Sequence, residues 1–396
     1  MRILANDYEA NLPGSDKLGT GGPARFSKQL ALAITEAGHS YTGVTFANRD
    51  IKRPLVNTVT SHGHARYLRM RVPNAEYQGI TKAKKTIHPL KQLAASIEAF
   101  RKVIQNERPD IVFINGVDLR VWTLLVASYL EGVPVVQKYA GIWSKELDAY
   151  QHLYSKPAMS AMKAMEKSIP DYATMQVFLN AYCENVFSKE IAASPKNKRT
   201  IIPLPVEFST DKARSAKKTG TVRIGIVARW DRIKNHEAVL ALAEEIHRQG
   251  LNMEIHAITK IPKTKKFLEF KNRYKTLIKI HPHADAKGVL KFFSCMDIAI
   301  LPSHFETAGF VVLEAASQGI GTIISKHVGW VDDYKATGNN QWIGDFSKPK
   351  TIVKKITELA GKPLSKPLLR KFKKEHDPKR VFNDYLKLFK SLKAKH

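Results

Sequence analysis

Two carboxylates, Glu306 and Glu314, stand eight residues apart in the segment Ile298-Ala-Ile-Leu-Pro-Ser-His-Phe-Glu-Thr-Ala-Gly-Phe-Val-Val-Leu-Glu-Ala-Ala-Ser-Gln-Gly319. The apolar run Ile298 to Leu301 predicts a buried strand, the Pro-Ser turn ends it, Gly309 loosens the loop, and Phe310 to Ser317 has the spacing of a helix start. Both acids then lie at the carboxyl end of a strand, around the first turns of the next helix. Open α/β sheets bind ligands at that place. A plainer use is also open: Glu306 stabilising the helix N-terminus, and Glu314 a solvated helix position.

Two cations form a second pair. In Ile224-Gly-Ile-Val-Ala-Arg229-Trp-Asp-Arg-Ile-Lys234-Asn-His, Arg229 follows a strand end and Lys234 comes five residues later, just before a helix. Such groups can hold an anion, or can simply be surface cations like Arg232 between them. Gly19-Thr-Gly-Gly22 makes a glycine-rich turn before a helix, which many α/β proteins use for packing alone.

The elements that must carry these residues alternate between strand and helix patterns throughout. That alternation predicts parallel sheets covered on both faces. Strands are expected at Arg2 to Ala5, Tyr41 to Ala47, Arg66 to Val72, Ile111 to Asn115, Val133 to Lys138 and Ala173 to Leu179. Helices are expected at Ala24 to Ala37, Gln92 to Gln105 and Pro157 to Lys167. Glu207 to Thr221 is polar and charged, and predicts an interdomain linker. A second series follows: strand Val222 to Ala228, helix Asn235 to Arg248, strand Met253 to Ile258, strand Leu277 to His281, and helix Gly288 to Cys295. The domains are therefore expected at 1–206 and 222–375, joined by the linker 207–221, with a basic terminal helix in 376–396.

At 396 residues, with 43% hydrophobic and 25% charged residues, the chain has room for two globular domains and is not a disordered protein. No apolar run has the length of a membrane span, and acidic residues come too early for a signal peptide. Cys183 and Cys295 are the only cysteines, which fits buried thiols in a reducing cytoplasm and excludes a cysteine-built zinc site. No histidine pairing suggests a metal, and none is expected. The net charge of +28 is concentrated toward the end, where residues 347–396 hold 16 basic and 4 acidic side chains. Such an excess predicts an anionic partner (lipid surface, glycan or nucleic acid) or a cationic surface that only confers solubility.

Glu-(seven residues)-Glu after a Pro-Ser strand end resembles the donor-site signature of retaining GT-B glycosyltransferases, particularly family 4. The resemblance implies two Rossmann-like domains facing each other across a cleft, with the C-terminal helix crossing back to the first domain. It implies that Glu306 meets hydroxyls of the transferred sugar, that Glu314 bonds the ribose, and that backbone N–H groups of Ala308, Gly309, Phe310 and Val311 meet the diphosphate. Carboxylates accept well from paired hydroxyls, and a helix N-terminus attracts phosphate. Arg229 and Lys234 match the family's Arg-(four residues)-Lys clamp on the diphosphate, although Ala228 replaces the usual preceding Gly. Two fixed cations there would stabilise the leaving group most in the transition state. Gly21 and Gly22 match a loop beside the donor phosphates, and His283 lies where the base rests.

Thr200-Ile-Ile-Pro-Leu-Pro-Val-Glu207 is similar to the family's hinge, without its Asn. His327-Val-Gly-Trp-Val-Asp-Asp333 replaces a Gly-Gly-x-x-Glu stretch. The first-domain His that bonds the donor sugar is absent; Lys138, Gly141 and Glu146 are the candidates for that wall, and Asn115 and Asp118 for the acceptor side. No metal or other cofactor is implied, and retaining members are thought to use the donor's own phosphate oxygen as base.

The function expected from this resemblance is transfer of a sugar, with retention, from a UDP- or GDP-sugar to an anionic acceptor, lipid-linked or an envelope glycan. Basic patches would hold a cytoplasmic protein peripherally on the inner membrane surface. Alternatives are a DNA-modifying transferase acting on hydroxylated bases, a non-catalytic nucleotide-sugar or glycan-binding protein, and a GT-B epimerase or phosphorylase.

Overall fold

A computed structural model describes residues 1–12, 21–46, 55–62, 65–71, 89–149, 156–191, 195–208, 220–259, 268–269 and 272–394. Gly19, Thr20, Val72 and most of the expected linker (209–219) lie outside the described residues. The chain divides into two units, one made of Met1–Leu204 with Lys379–His396 and the other of Pro205–Pro378. The division thus falls inside the segment 200–207 and again at the first residue of the terminal helix.

In the first unit the elements run β1 (Arg2–Asn6), α1 (Gly22–Glu36), β2 (Ser40–Phe46), β3 (Leu55–His62), β4 (Ala65–Arg71), α2 (Pro89–Glu107), β5 (Ile111–Asn115), α3 (Leu119–Leu130), β6 (Val135–Lys138), α4 (Trp143–Ala149), α5 (Lys156–Tyr172), β7 (Met175–Phe178), α6 (Ala181–Glu190) and β8 (Arg199–Ile201). The strands form one sheet in the order β3-β4-β2-β1-β5-β6-β7-β8. β3 is antiparallel to β4, and the remaining pairs are parallel. The sheet is parallel as expected except at this edge. Leu-Val-Asn-Thr-Val-Thr-Ser-His mixes β-branched and polar residues, and it pairs only with β4 at the edge of the sheet. Central strands such as β5, buried at all five residues, are apolar without alternation, as parallel strands covered on both faces must be.

The second unit contains β9 (Val222–Val227), α7 (His236–Arg248), β10 (Met253–Ile258), β11 (Ile278–His281), α8 (Ala286–Ser294), β12 (Ile298–Leu301), α9 (Phe310–Ser317), β13 (Thr322–Ser325), α10 (Val331–Ala336), β14 (Ile343–Gly344), α11 (Pro349–Leu359) and α12 (Lys366–Glu375). Its sheet has the order β11-β10-β9-β12-β13-β14, all parallel. From β9 the chain builds outward to β10 and β11, then returns to place β12 on the other side of β9. The loops after β9 and β12 therefore leave neighbouring strand ends at a topological switch point.

The last helix, α13 (Pro378–Lys393), belongs to the first unit. Its apolar residues Val381, Phe382, Tyr385, Phe389 and Leu392 share one core with Phe26 and Leu30 of α1 and Phe113 of β5. Ring centroids lie 5.4 Å apart for Phe26 and Tyr385 and 5.8 Å apart for Phe113 and Phe389. Each such buried side chain contributes about 1.5–3 kcal/mol by removal from water. Lys393 adds an ion pair with Asp110 at 3.2 Å.

Candidate functional site

The loop after β9 is shaped by two local caps. Asp231 is extended, and its Oδ1 accepts from the Lys234 backbone N–H at 3.2 Å, closing a 3-10 turn over Arg232–Lys234. Asn235 follows at φ 54°, in the left-handed region that Asn tolerates, and its Oδ1 accepts from the Ala238 N–H to cap α7. The same Asn donates from Nδ2 to the Pro302 carbonyl at 3.1 Å. The His304 N–H donates to the Ile233 carbonyl at 2.8 Å. These two bonds tie the loop after β9 to the loop after β12. Beneath them His236 is buried against the Trp230 ring at 4.3 Å, and burial pushes its pKa down to about 4.

The loop after β12 is fixed on its other side by β13 and the turn beyond. Ser325 donates to the Ser303 carbonyl at 2.6 Å. The Glu306 N–H donates to the His327 carbonyl at 3.1 Å, and the Gly329 N–H to the Glu306 carbonyl at 2.9 Å. Gly309 has φ +75°, and a Cβ there would stand 3.2 Å from Glu306 Cγ and 3.3 Å from Leu301. Only glycine fits both the conformation and the space. α9 begins at the next residue.

This scaffold brings Lys234 and Glu306 together: Lys234 Nζ donates to Glu306 Oε2. Gly309 and the first turn of α9, with Phe310 and Val311, lie beside them, and Ala308 is fully buried below. Arg229 is directed to solvent, 71% exposed, with Asp231 at 3.3 Å. Glu314 lies on the second turn of α9 and is 5% exposed, so it is not a solvated helix position. His283 is exposed after β11, two strands away from β9 in the sheet. The sequence reasoning missed Asp231 and Asn235, which hold the Lys234 turn. Their signal was present, since each is a capping residue three positions before the N–H it accepts.

The first unit brings Asn115 and Lys138 into contact, and Gly141 against Glu146. Gly21, at φ +100°, precedes α1, and Gly22 opens it. Asn115 is 1% exposed; it donates to the Pro23 carbonyl at 2.9 Å and to Ser27 at 3.0 Å, and accepts from Lys138 Nζ at 3.0 Å. Lys138 is likewise 1% exposed, with its ammonium 4.3 Å over the Phe26 ring. Burial lowers its pKa to about 7. These two residues therefore face the core at the strand ends and present no wall to solvent. Asp118 caps α3 through the Val121 N–H at 2.9 Å and lies 3.5 Å from Arg120. Gly141 leaves room for Glu146, whose Oε1 would lie 2.1 Å from a Cβ at that position. Among the described residues no cluster of three or more His, Cys, Asp or Glu is placed to hold a metal, and no helix is long and apolar enough to cross a membrane.

Family comparison matches one domain to each unit. Residues 21–174 match the glycosyl transferase 4-like domain, and residues 207–376 match glycosyl transferases group 1. Both matched domains are glycosyltransferase domains, and the chain is a glycosyltransferase. No curated protein sequence matches this glycosyltransferase. Solved structures do: a sucrose-phosphate synthase from Thermosynechococcus elongatus is 16% identical, with 100% of each chain covered and a TM-score of 0.75. An α,α-trehalose-phosphate synthase (UDP-forming) from Burkholderia vietnamiensis is 11% identical, with 98% of this chain and 99% of that chain covered and a TM-score of 0.67. A structure from E. coli, described as trehalose-6-phosphate bound with UDP-2-fluoro glucose, is 11% identical, with 99% of both chains covered and a TM-score of 0.67. At these identities the likeness establishes the fold, and this glycosyltransferase has the GT-B fold.

Proposed function

We propose that this glycosyltransferase moves a sugar, with retention, from a nucleoside diphosphate sugar to an anionic acceptor. The observation that carries the reading is the convergence of Lys234 and Glu306 at the start of α9, on loops from the adjacent strands β9 and β12. A cation and a helix N-terminus there suit a diphosphate, and a carboxylate beside them suits sugar hydroxyls. The neighbours described as UDP-forming and as bound with UDP-2-fluoro glucose support a uridine nucleotide as donor. Two neighbours are named as synthases of phosphorylated disaccharides, which supports an acceptor that carries negative charge.

In this reaction the bond between the anomeric carbon and the diphosphate oxygen breaks, and that oxygen takes the electron pair. The acceptor oxygen bonds to the same face of the carbon and gives its proton to the departing phosphate. Lys234 and Arg229 stabilise the charge that collects on the diphosphate, while Glu306 orients the sugar and Glu314 the ribose. The domain of residues 222–375 holds the donor and that of residues 1–206 the acceptor. The protein works in the cytoplasm, its basic surface against anionic headgroups at the membrane.

The test is release of nucleoside diphosphate from UDP-, GDP- and ADP-sugars, with and without lipid and glycan fractions as acceptors. Proton NMR of the product reports the anomeric configuration. Donor turnover that is lost in Glu306→Ala supports the reading. An inverted product would remove the assignment of retention, and no turnover with any donor would remove the transferase reading.

A further inference from the structure

Each of the two site cations is answered by a carboxylate of the same chain. In the Arg229–Asp231 pair the guanidinium is mostly in water, and the pairing is weak. Lys234 and Glu306 are only 18% and 16% exposed, so their pairing is screened far less. Glu306 also leans on the start of α9, with its Cδ 3.5 Å from where a Cβ on Gly309 would stand. A helix N-terminus carries partial positive charge that favours an anion. Glu306 is therefore an anion supplied by the protein, seated where Lys234 and α9 would hold one from solution.

We propose that Glu306 makes this site select a nucleoside diphosphate bearing a sugar over the bare nucleoside diphosphate. The inference rests on the donor assignment made above. A bare diphosphate has a terminal phosphate with one more ionisable oxygen, and its charge competes with Glu306 for Lys234 while facing the carboxylate. A sugar on that phosphate removes the extra charge and offers hydroxyls that donate to Glu306. Once transfer has occurred and the proton taken from the acceptor has passed to solvent, the diphosphate carries the extra charge, Glu306 recovers Lys234, and release of the product is favoured. The two loops are tied by the Asn235–Pro302 and His304–Ile233 bonds, so the exchange needs only side-chain rotation.

Calorimetric titration of UDP, GDP, ADP and their glucose conjugates into wild type and variants tests this selection. Glu306→Gln removes the charge at constant shape and is expected to bind the bare diphosphate about tenfold tighter. Its affinity for the glucose conjugate does not rise, so the preference for the conjugate falls by the same factor. Glu306→Ala repeats the measurement without the amide and shifts the preference in the same direction. Lys234→Met weakens both ligands. Bare diphosphate binding that is unchanged or weaker in both Glu306 variants would overturn the inference and leave the donor assignment standing. Failure of wild type to bind any of the six compounds would remove both.

Discussion

Lys234 and Glu306, 72 residues apart in the chain, form an ion pair with less than a fifth of either side chain exposed. The pairing follows from topology: β9 and β12 are neighbours in the sheet, so the loops leaving their carboxyl ends emerge side by side. Capping at Asp231 and Asn235 then sets the direction of one partner, and the link of Glu306 to His327 and Gly329 sets the other.

Arg229→Ala and Lys234→Ala are each expected to lower turnover by about a hundredfold or more, as loss of a charge aimed at a developing anion does. Their effects on stability differ. Arg229 is mostly in solvent, and its removal leaves the melting temperature unchanged. Removal of Lys234 leaves Glu306 partly buried without its cation and destabilises by about 1–3 kcal/mol. Steady-state kinetics with thermal melts checks both, and unchanged turnover in the two variants would exclude the diphosphate role.

Gly309→Ala places a methyl group 3.2 Å from Glu306 Cγ in a backbone conformation that alanine resists. The strain is about 1–3 kcal/mol. Because relief comes by moving Glu306, the loss in kcat should exceed what the melting shift alone accounts for. A variant with the same fractional loss in both would show that Gly309 matters for folding only.

Stability should fall as the pH drops from about 6.5 toward 4, through His236. Its folded pKa of about 4 lies below the unfolded value, so between those limits the unfolded chain binds more protons and is favoured as pH falls. The full difference, reached below the folded pKa, is about 3 kcal/mol. Denaturant unfolding across this range, compared with His236→Phe, reports the contribution as a change in slope. Identical slopes would show that His236 does not titrate as its burial requires.

Phe389→Ala should destabilise the first unit by about 3–5 kcal/mol, although the residue lies in the last helix of the chain. Hydrogen exchange separates the two units: amides of β1 and β5 lose protection while those of β9 and β12 keep theirs. Uniform loss in both units would contradict the assignment of α13 to the first core.

Much of this arrangement was legible in the sequence where local signals agree. Phe310 to Ser317 is helical as its spacing predicts, and β10 and β12 match their apolar runs. Arg229, Lys234 and Glu306 lie in loops after strand ends, and Glu314 on the helix that follows, in the strand–loop–helix order expected. What the pattern could not supply was contact across the chain, and the Lys234–Glu306 pair is a property of strand order. Asn115 and Lys138 went the other way. A Lys and an Asn at strand ends suggest a solvent-facing wall, but a ring beneath the ammonium and a closed set of hydrogen bonds make their burial tolerable. The edge strand β3 escaped notice because its Asn, Thr, Ser and His residues resemble a loop as much as a strand.

The return of α13 to the first unit also sets an order on birth from the ribosome. Residues 205–378 form a contiguous unit and are finished before the final helix exists. The first unit must wait through their synthesis, on the order of ten seconds or more at ordinary elongation rates. During that time the faces of Phe26 and Phe113 that α13 will cover remain open. The half of the protein made first is thus the last to be completed, and stalled or truncated chains expose that aromatic surface.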